Sequence, residues 1–254
     1  MREIHIQTAN LNEIRDSILA LKNSEEVVVF RGGSAELSHS KWIEILKTEC
    51  SLNHDQRHYN FSGKLEIADW WEISYQPDKA TSYAYSNTRQ PLHTDNAWFS
   101  DPAEINFFIM EKQASAGGDQ MLYALSRLTE DLSNDEPGLF NDLCNTTVVI
   151  KKGDGEYFNR TSIIALDRSP KIFWNYYRTE KPTAEIESMC DALFQYLERK
   201  ELTSSVERLR CDSGDCFCFN DLKMLHGRTA FAATKPFERV LLQSMWKLPS
   251  KLWS

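Results

Sequence analysis

Two histidines and an aspartate are the residues whose spacing could do chemistry. His93 and Asp95 flank Thr94 in Pro91-Leu92-His93-Thr94-Asp95-Asn96. On an extended backbone alternate side chains share a face, so both could reach one metal ion. A His-X-Asp tripeptide arises often by chance, and alone it reads as a surface histidine near a carboxylate. It gains weight from a second histidine far downstream, in Phe219-Asn220-Asp221-Leu222-Lys223-Met224-Leu225-His226-Gly227-Arg228-Thr229-Ala230-Phe231. Two imidazoles with one carboxylate make an open non-haem Fe(II) site, with coordination positions left for a cosubstrate and O2.

Further pieces follow in a set order. After His93-Thr94-Asp95-Asn96 come Gly117-Gly118-Asp119-Gln120, then Gly214-Asp215 leading to Asn220, then His226-Gly227-Arg228-Thr229-Ala230-Phe231 and Arg239. This ordered set resembles the taurine dioxygenase and clavaminate synthase-like superfamily, Fe(II)- and 2-oxoglutarate-dependent oxygenases built on a double-stranded β-helix. The resemblance runs over about residues 91–246, and the early Val27-Val28-Val29-Phe30-Arg31-Gly32 is similar to the family's first core strand. It implies Fe(II), 2-oxoglutarate and O2, with His93, Asp95 and His226 as the metal ligands. It also implies that Arg239 grips the distal carboxylate of 2-oxoglutarate. The physical reason agrees, since a guanidinium fork offers two parallel charge-assisted bonds, and a charge heading the apolar run Val240-Leu241-Leu242 is costly unless paired. The plain alternative is an arginine at a strand edge in solvent.

One position departs from the pattern. Gln120 stands where family members commonly carry a threonine that helps bind the same carboxylate. Its amide could donate there, or could serve the substrate instead. Asp95 keeps the carboxylate ligand that halogenating relatives replace by a small residue, so the resemblance implies hydroxylation or desaturation. It further points to amino-acid and amino-acid-derivative hydroxylases, hence to a small polar, zwitterionic metabolite as substrate, by analogy alone. Trp174-Asn175-Tyr176-Tyr177-Arg178 reads as a substrate-side element, with Arg178 pairing a carboxylate and Tyr177 or Asn175 donating hydrogen bonds. Asn96 could touch substrate or merely cap the turn. Trp98, Phe99, Phe107, Phe173 and Trp174 could wall a dry pocket, although aromatics at strand spacing are more often core. A desaturase or cyclase using the same iron chemistry is the runner-up, and a turnover-deficient domain that binds metal and 2-oxoglutarate is the reading from another class.

Two further clusters compete for a metal. His54-Asp55-Gln56-Arg57-His58 spaces two histidines like a zinc-protease helix but lacks the glutamate base and any amphipathic helix around it, so a polar loop is expected. Cys211, Cys216 and Cys218 lack zinc-knuckle spacing, and Cys216 and Cys218 alternate with Phe217 and Phe219 as a buried strand would.

The elements that must hold these residues follow from pattern. The chain has 254 residues, with 29 basic and 37 acidic side chains and a formal net charge of −8. That acidity argues against a nucleic-acid or anionic-lipid partner. No window approaches the roughly 18–20 apolar residues of a membrane span, and the first residues lack a signal peptide's apolar stretch. A cytoplasmic protein with reduced cysteines is expected. No linker divides the chain, so one domain over 1–254 is expected, with an N-terminal cover over about 1–90 and a core over about 91–248 carrying a helical insertion at about 124–200. Helices are predicted over 10–24, 38–48 and 183–199, and a strand over 26–30. Further strands are predicted over 105–113, 119–123, 146–151, 161–166, 171–177, 206–210, 215–219 and 239–247. This pattern is mainly β with flanking helices, a sandwich or barrel, for which the resemblance implies a double-stranded β-helix (jelly-roll, cupin-like) core. No glycine-rich nucleotide loop is present.

Overall fold

Alternation along the strands sorts side chains into layers. A computed structural model of the chain describes residues 1–153 and 156–249. On Ile105–Lys112 and Cys216–Asn220, Phe108, Phe217 and Phe219 turn inward and pack with Leu122, Leu209 and Met224 of a second sheet. Their neighbours Phe107, Ile109, Cys216 and Cys218 turn outward to meet the N-terminal helices. The period of two therefore builds one core between sheets and another beneath helices.

The larger sheet has seven strands. Its order is Arg2–His5, Val28–Arg31, Cys216–Asn220, Ile105–Lys112, Val240–Lys247 and Asn53–Asp55, with Trp71–Ser74 also paired to Val240–Lys247. Only the first pair is parallel. The smaller sheet is antiparallel, in the order Glu207–Leu209, Gln120–Ala124, Met224–Arg228 and Gln90–His93. The two sheets form the sandwich that the pattern allows and the jelly-roll that the resemblance implies.

Helices seal both outer faces. Leu11–Ala20 starts where the Asn10 side chain accepts from the Glu13 N–H at 3.0 Å, and it buries Ile14 and Ile18. His39–Glu44 is capped by Ser38 and continues into a π-helical turn, Ile45–Glu49, placing Trp42 against Phe30 and Phe107. On the other side Leu125–Asp135, Pro137–Asn145 and Ala184–Lys200 cover the smaller sheet, with Leu128, Leu193 and Leu197 packed among Met121, Tyr123 and Leu225. Thr183 caps the last of these, whose final turn carries Arg199 and Lys200 against its negative end. Among the described residues no helix is long and apolar enough to cross a membrane.

Two segments differ from expectation. The run 171–177 forms strand only at Lys171–Ile172. Beyond Trp174 the chain turns, because the Asn175 carbonyl accepts from both the Arg178 and Thr179 N–H groups at 3.0 Å, with the Thr179 hydroxyl added at 3.0 Å. The segment 54–58, expected as a polar loop, contributes to two short strands, Asn53–Asp55 and Arg57–Tyr59. Its charges can be buried because Arg57 binds both Asp55 oxygens, at 2.8 and 2.6 Å, while His54 stacks on Trp246 at 4.0 Å.

Gly227 is required where the smaller sheet brings its strands together. A Cβ on it would lie 2.7 Å from the Gln90 carbonyl oxygen. Gly227→Ala should therefore lower stability by about 1–3 kcal/mol through overpacking. The midpoint of denaturant unfolding reads this, and an unshifted midpoint would mean that the strands part freely.

Candidate active site

The register of the smaller sheet sets His226 directly opposite His93. Their rings lie 4.4 Å apart between centroids. The strand ends at His93, so Asp95 reaches the imidazoles from the turn that follows, not from an extended strand. Its Oδ1 lies 3.4 Å from His93 Nε2 and its Oδ2 lies 3.2 Å from His226 Nε2. One ligating atom from each of the three side chains falls within 4.8 Å of the others, the one such cluster among the described residues.

The groups behind these ligands decide how they present themselves. His93 Nδ1 lies 2.9 Å from the Pro91 carbonyl, and His226 Nδ1 faces Asp221 Oδ1 at 3.2 Å. Both Nδ1 atoms thus face acceptors, which turns both Nε2 atoms toward Asp95. Asp95 Oδ2 also accepts from Gln243 at 2.6 Å and Asn106 at 3.1 Å, so the carboxylate is held from behind by two amides. Burial alone would favour neutral His226, yet Asp95 and Asp221 on its two sides raise it to about 10. Burial also works against ionised Asp95, but the His226 and His93 imidazoles hold it well below the usual carboxylate range. Asp221 is pushed up to about 7 by burial, opposed by His226. Two imidazoles and a carboxylate with Nε2 atoms converging suit a divalent cation taking N and O ligands.

Arg239 lies on the inner side as well. It is 1% exposed, and its guanidinium stacks over Phe231 at 5.3 Å. With its carbonyl turned to Arg239, the Gln120 amide accepts from Nη2 at 3.0 Å and donates to the Gly227 carbonyl at 3.3 Å. Gly118 permits this packing, since a Cβ there would sit 3.0 Å from Arg239 Nε. Arg228, 3% exposed, donates to the Ser86 and Thr88 carbonyls at 3.0 and 2.9 Å. Among the described residues neither arginine has an ion-pair partner, and both Nε atoms are buried without an acceptor. Burial drives Arg228 down to about 10, and burial with the neighbouring Arg228 drives Arg239 down to about 9. Two desolvated cations without a carboxylate make a receptor for an anion.

A cavity of about 870 Å³ opens onto the triad, with His93 and Asp95 on its wall. Of the residues expected at the substrate, Trp98, Tyr177 and Arg178 line it, together with Asn175. Asn96 does not: it is buried, adopts a left-handed φ of 54°, and turns its amide to the Met245 sulfur. Phe99, Phe173 and Trp174 belong to the helix-side core and Phe107 to the opposite one, so Trp98 alone of the five expected aromatics is a wall. The six cysteines are all free thiols, and neither they nor His54 and His58 join a metal-binding cluster among the described residues.

Four working residues escaped the sequence reading. Asp221 could have been sought, because a ligating histidine wants an acceptor for its other nitrogen. Asn106 and Gln243 look like ordinary polar positions in apolar strands. Lys152, a half-buried cation on the cavity wall, carries no sequence signal at all.

Comparison with known proteins agrees with this geometry. The family model described as "Taurine catabolism dioxygenase TauD, TfdA family" matches residues 3–246. The human gamma-butyrobetaine dioxygenase is 23% identical over 183 residues, covering 67% of this chain and 47% of that protein. The Pseudomonas sp. (strain AK-1) enzyme of the same name is 26% identical over 161 residues, covering 60% of this chain and 42% of its own. The matches thus span about half the length of these curated relatives. Among solved structures, an asparagine oxygenase in complex with Fe(II), 2S,3S-3-hydroxyasparagine and succinate superposes with a TM-score of 0.71 at 16% identity, covering 92% of this chain and 79% of its own. The non-heme iron oxygenase OrfP in complex with Fe and alpha-ketoglutaric acid gives 0.66 at 14%, covering 94% and 78%. These likenesses establish the jelly-roll fold.

Removing the acceptor behind His226 tests whether that nitrogen matters. Asp221→Ala should weaken Fe(II) binding by about 10- to 100-fold in an anaerobic titration. Unaltered affinity would show that Asp221 serves the core only.

Proposed function

The chain belongs to the taurine catabolism dioxygenase (TauD, TfdA) family, and on that footing we propose that it is an Fe(II)- and 2-oxoglutarate-dependent dioxygenase that hydroxylates a small molecule. One observation carries the reading. His93, Asp95 and His226 bring their ligating atoms within 4.8 Å of one another beside a cavity, while Arg239 waits inside the same sandwich without a carboxylate.

The residues fit the groups they are assigned. His93 and His226 would ligate iron through Nε2, with Pro91 and Asp221 fixing the ring orientation from Nδ1. Asp95 would supply the carboxylate, its second oxygen kept in place by Gln243 and Asn106. Arg239 would take the distal carboxylate of 2-oxoglutarate, and Gln120 steadies the guanidinium from its Nη2 side. In this reading Gln120 is a positioning residue for Arg239, which accounts for an amide where relatives carry a hydroxyl. When bound, iron with 2-oxoglutarate and O2 supplies the oxidising power for attack on a C–H bond, releasing succinate and CO2. The chain's own share is placement and the exclusion of water, for which Trp98, Trp71 and Tyr85 on the cavity wall are suited.

For the substrate we propose an amino acid or derivative. The asparagine oxygenase and the gamma-butyrobetaine dioxygenases among the similar proteins support that class, as does the presence of Tyr177, Asn175 and Arg178 on the cavity wall.

Fe(II) and 2-oxoglutarate added anaerobically should give the weak visible charge-transfer band of a chelated keto acid. His226→Ala should abolish it. Arg239→Met should weaken 2-oxoglutarate by about 30-fold or more while leaving Fe(II) binding in place. A native protein without the band, or one whose band survives His226→Ala, ends this assignment.

A further inference from the structure

Main-chain pairing brings two cations together on the cavity wall. The Lys151 N–H donates to the Arg178 carbonyl at 2.9 Å, and Ile150 bridges to Thr179 beside it. Lys152 and Arg178 both face the cavity that exposes His93 and Asp95. The acidic side chains around them are committed elsewhere. Glu180 pairs with Lys151, Asp191 lies 3.8 Å from Lys181, and Arg89 holds Glu198 and Glu201 at 2.8 and 2.6 Å. Among the described residues neither Lys152 nor Arg178 forms an ion pair, and the sole carboxylate on the wall is Asp95 of the triad.

The Lys152 ammonium sits instead among rings, 4.4 Å from the Trp98 centroid and 5.6 Å from those of Tyr59 and Trp71. Rings in such an arrangement could cradle the ammonium of a ligand. Here the protein's own lysine already fills that place. Among the described residues a substrate with a free amino group would thus meet a cation and find no acid besides the metal-facing Asp95, whereas a carboxylate would find two donors outside any ion pair.

We propose, building on the dioxygenase reading above, that the substrate is a carboxylate whose amino group is acylated or absent, with its carboxylate held between Lys152 and Arg178. Asn175 offers an amide on the same wall for an acyl carbonyl. Burial, reinforced by Arg178, pushes the Lys152 ammonium down to about 8, and an arriving anion supplies the partner it lacks. This narrows the amino-acid class to its anionic derivatives and sets the zwitterions aside.

The test offers leucine, phenylalanine and glutamine to the Fe(II)/2-oxoglutarate complex, each as free amino acid, N-acetyl acid and N-acetyl methyl ester. Binding is read anaerobically from tryptophan fluorescence and the charge-transfer band, and turnover from succinate. At least one N-acetyl acid should bind about 10-fold or more tightly than both its free amino acid and its ester. Lys152→Met and Arg178→Met should each remove most of that preference, and Lys152→Arg should retain it. Preference for the free amino acid, equal binding of acid and ester, binding of none of the three acids, or a preference untouched in Lys152→Met would each overturn the proposal. A wild-type protein that shows no charge-transfer band fails at the earlier step, so the two readings are separated by one spectrum.

Discussion

The cross-strand pairing of His226 with His93 is the constraint on which the rest of the site depends. Two imidazoles 4.4 Å apart can face one another only because Met224–Arg228 and Gln90–His93 pair in that register. A slip by one residue would send His226 into the helix-side core and Leu225 into the sandwich. The same alternation fixes the other inward positions. Leu122 and Met224 fill the space between sheets, and Gln120 lies opposite Arg228. Glycine at 227 allows the close approach that holds this register, and the turn after His93 delivers Asp95 from the third direction.

Around that pair, polar groups are arranged so that each has one function. The Nδ1 atoms are occupied by Pro91 and Asp221, and the carboxylate of Asp95 by two amides. Buried polar networks specify a single geometry when every member is satisfied and invite rearrangement when one is not. Asp95 accepts from its two amides and His93 faces the Pro91 carbonyl, whereas His226 Nδ1 and Asp221 Oδ1 have only each other, at 3.2 Å. Arg228 Nε and Arg239 Nε have no acceptor among the described residues, and Arg239 is the one to which the dicarboxylate is assigned in our proposal.

Much of this was legible in the residues themselves, for identifiable reasons. Periodic apolar patterns located the helices predicted over 10–24 and 183–199, whose observed bounds, Leu11–Ala20 and Ala184–Lys200, differ by one to four residues. The triad was legible because its residue types are rare together and its pieces fall in a characteristic order. The aromatics were not, since the distinction between core and cavity wall depends on which face of which layer a ring joins. Phe107 and Phe108 point to opposite cores while adjacent in sequence. The segment 171–177 reads as a strand from its pattern, yet a single carbonyl, that of Asn175, gathers the donors that turn the chain beyond Trp174. Lys152 gave no local sign, because its neighbours Trp71, Trp98 and Arg178 come from distant parts of the chain.

Charge shows most clearly where composition stops informing. An overall charge of −8 is a statement about the surface and about long-range attraction, and it speaks against extended polyanions. It says nothing about the interior, where Arg228 and Arg239 are buried with no ion-pair partner among the described residues and Lys152 is pushed down to about 8. The desolvation these cations suffer is offset in part by carbonyls at Arg228, an amide at Arg239 and rings at Lys152, and ligands carrying the opposite sign would offset it further. Local cationic sites inside an otherwise acidic protein would favour small anions able to enter over large ones that must lie across the surface. A keto diacid at Arg239 and a carboxylate at Lys152, as we propose, would both obey this rule.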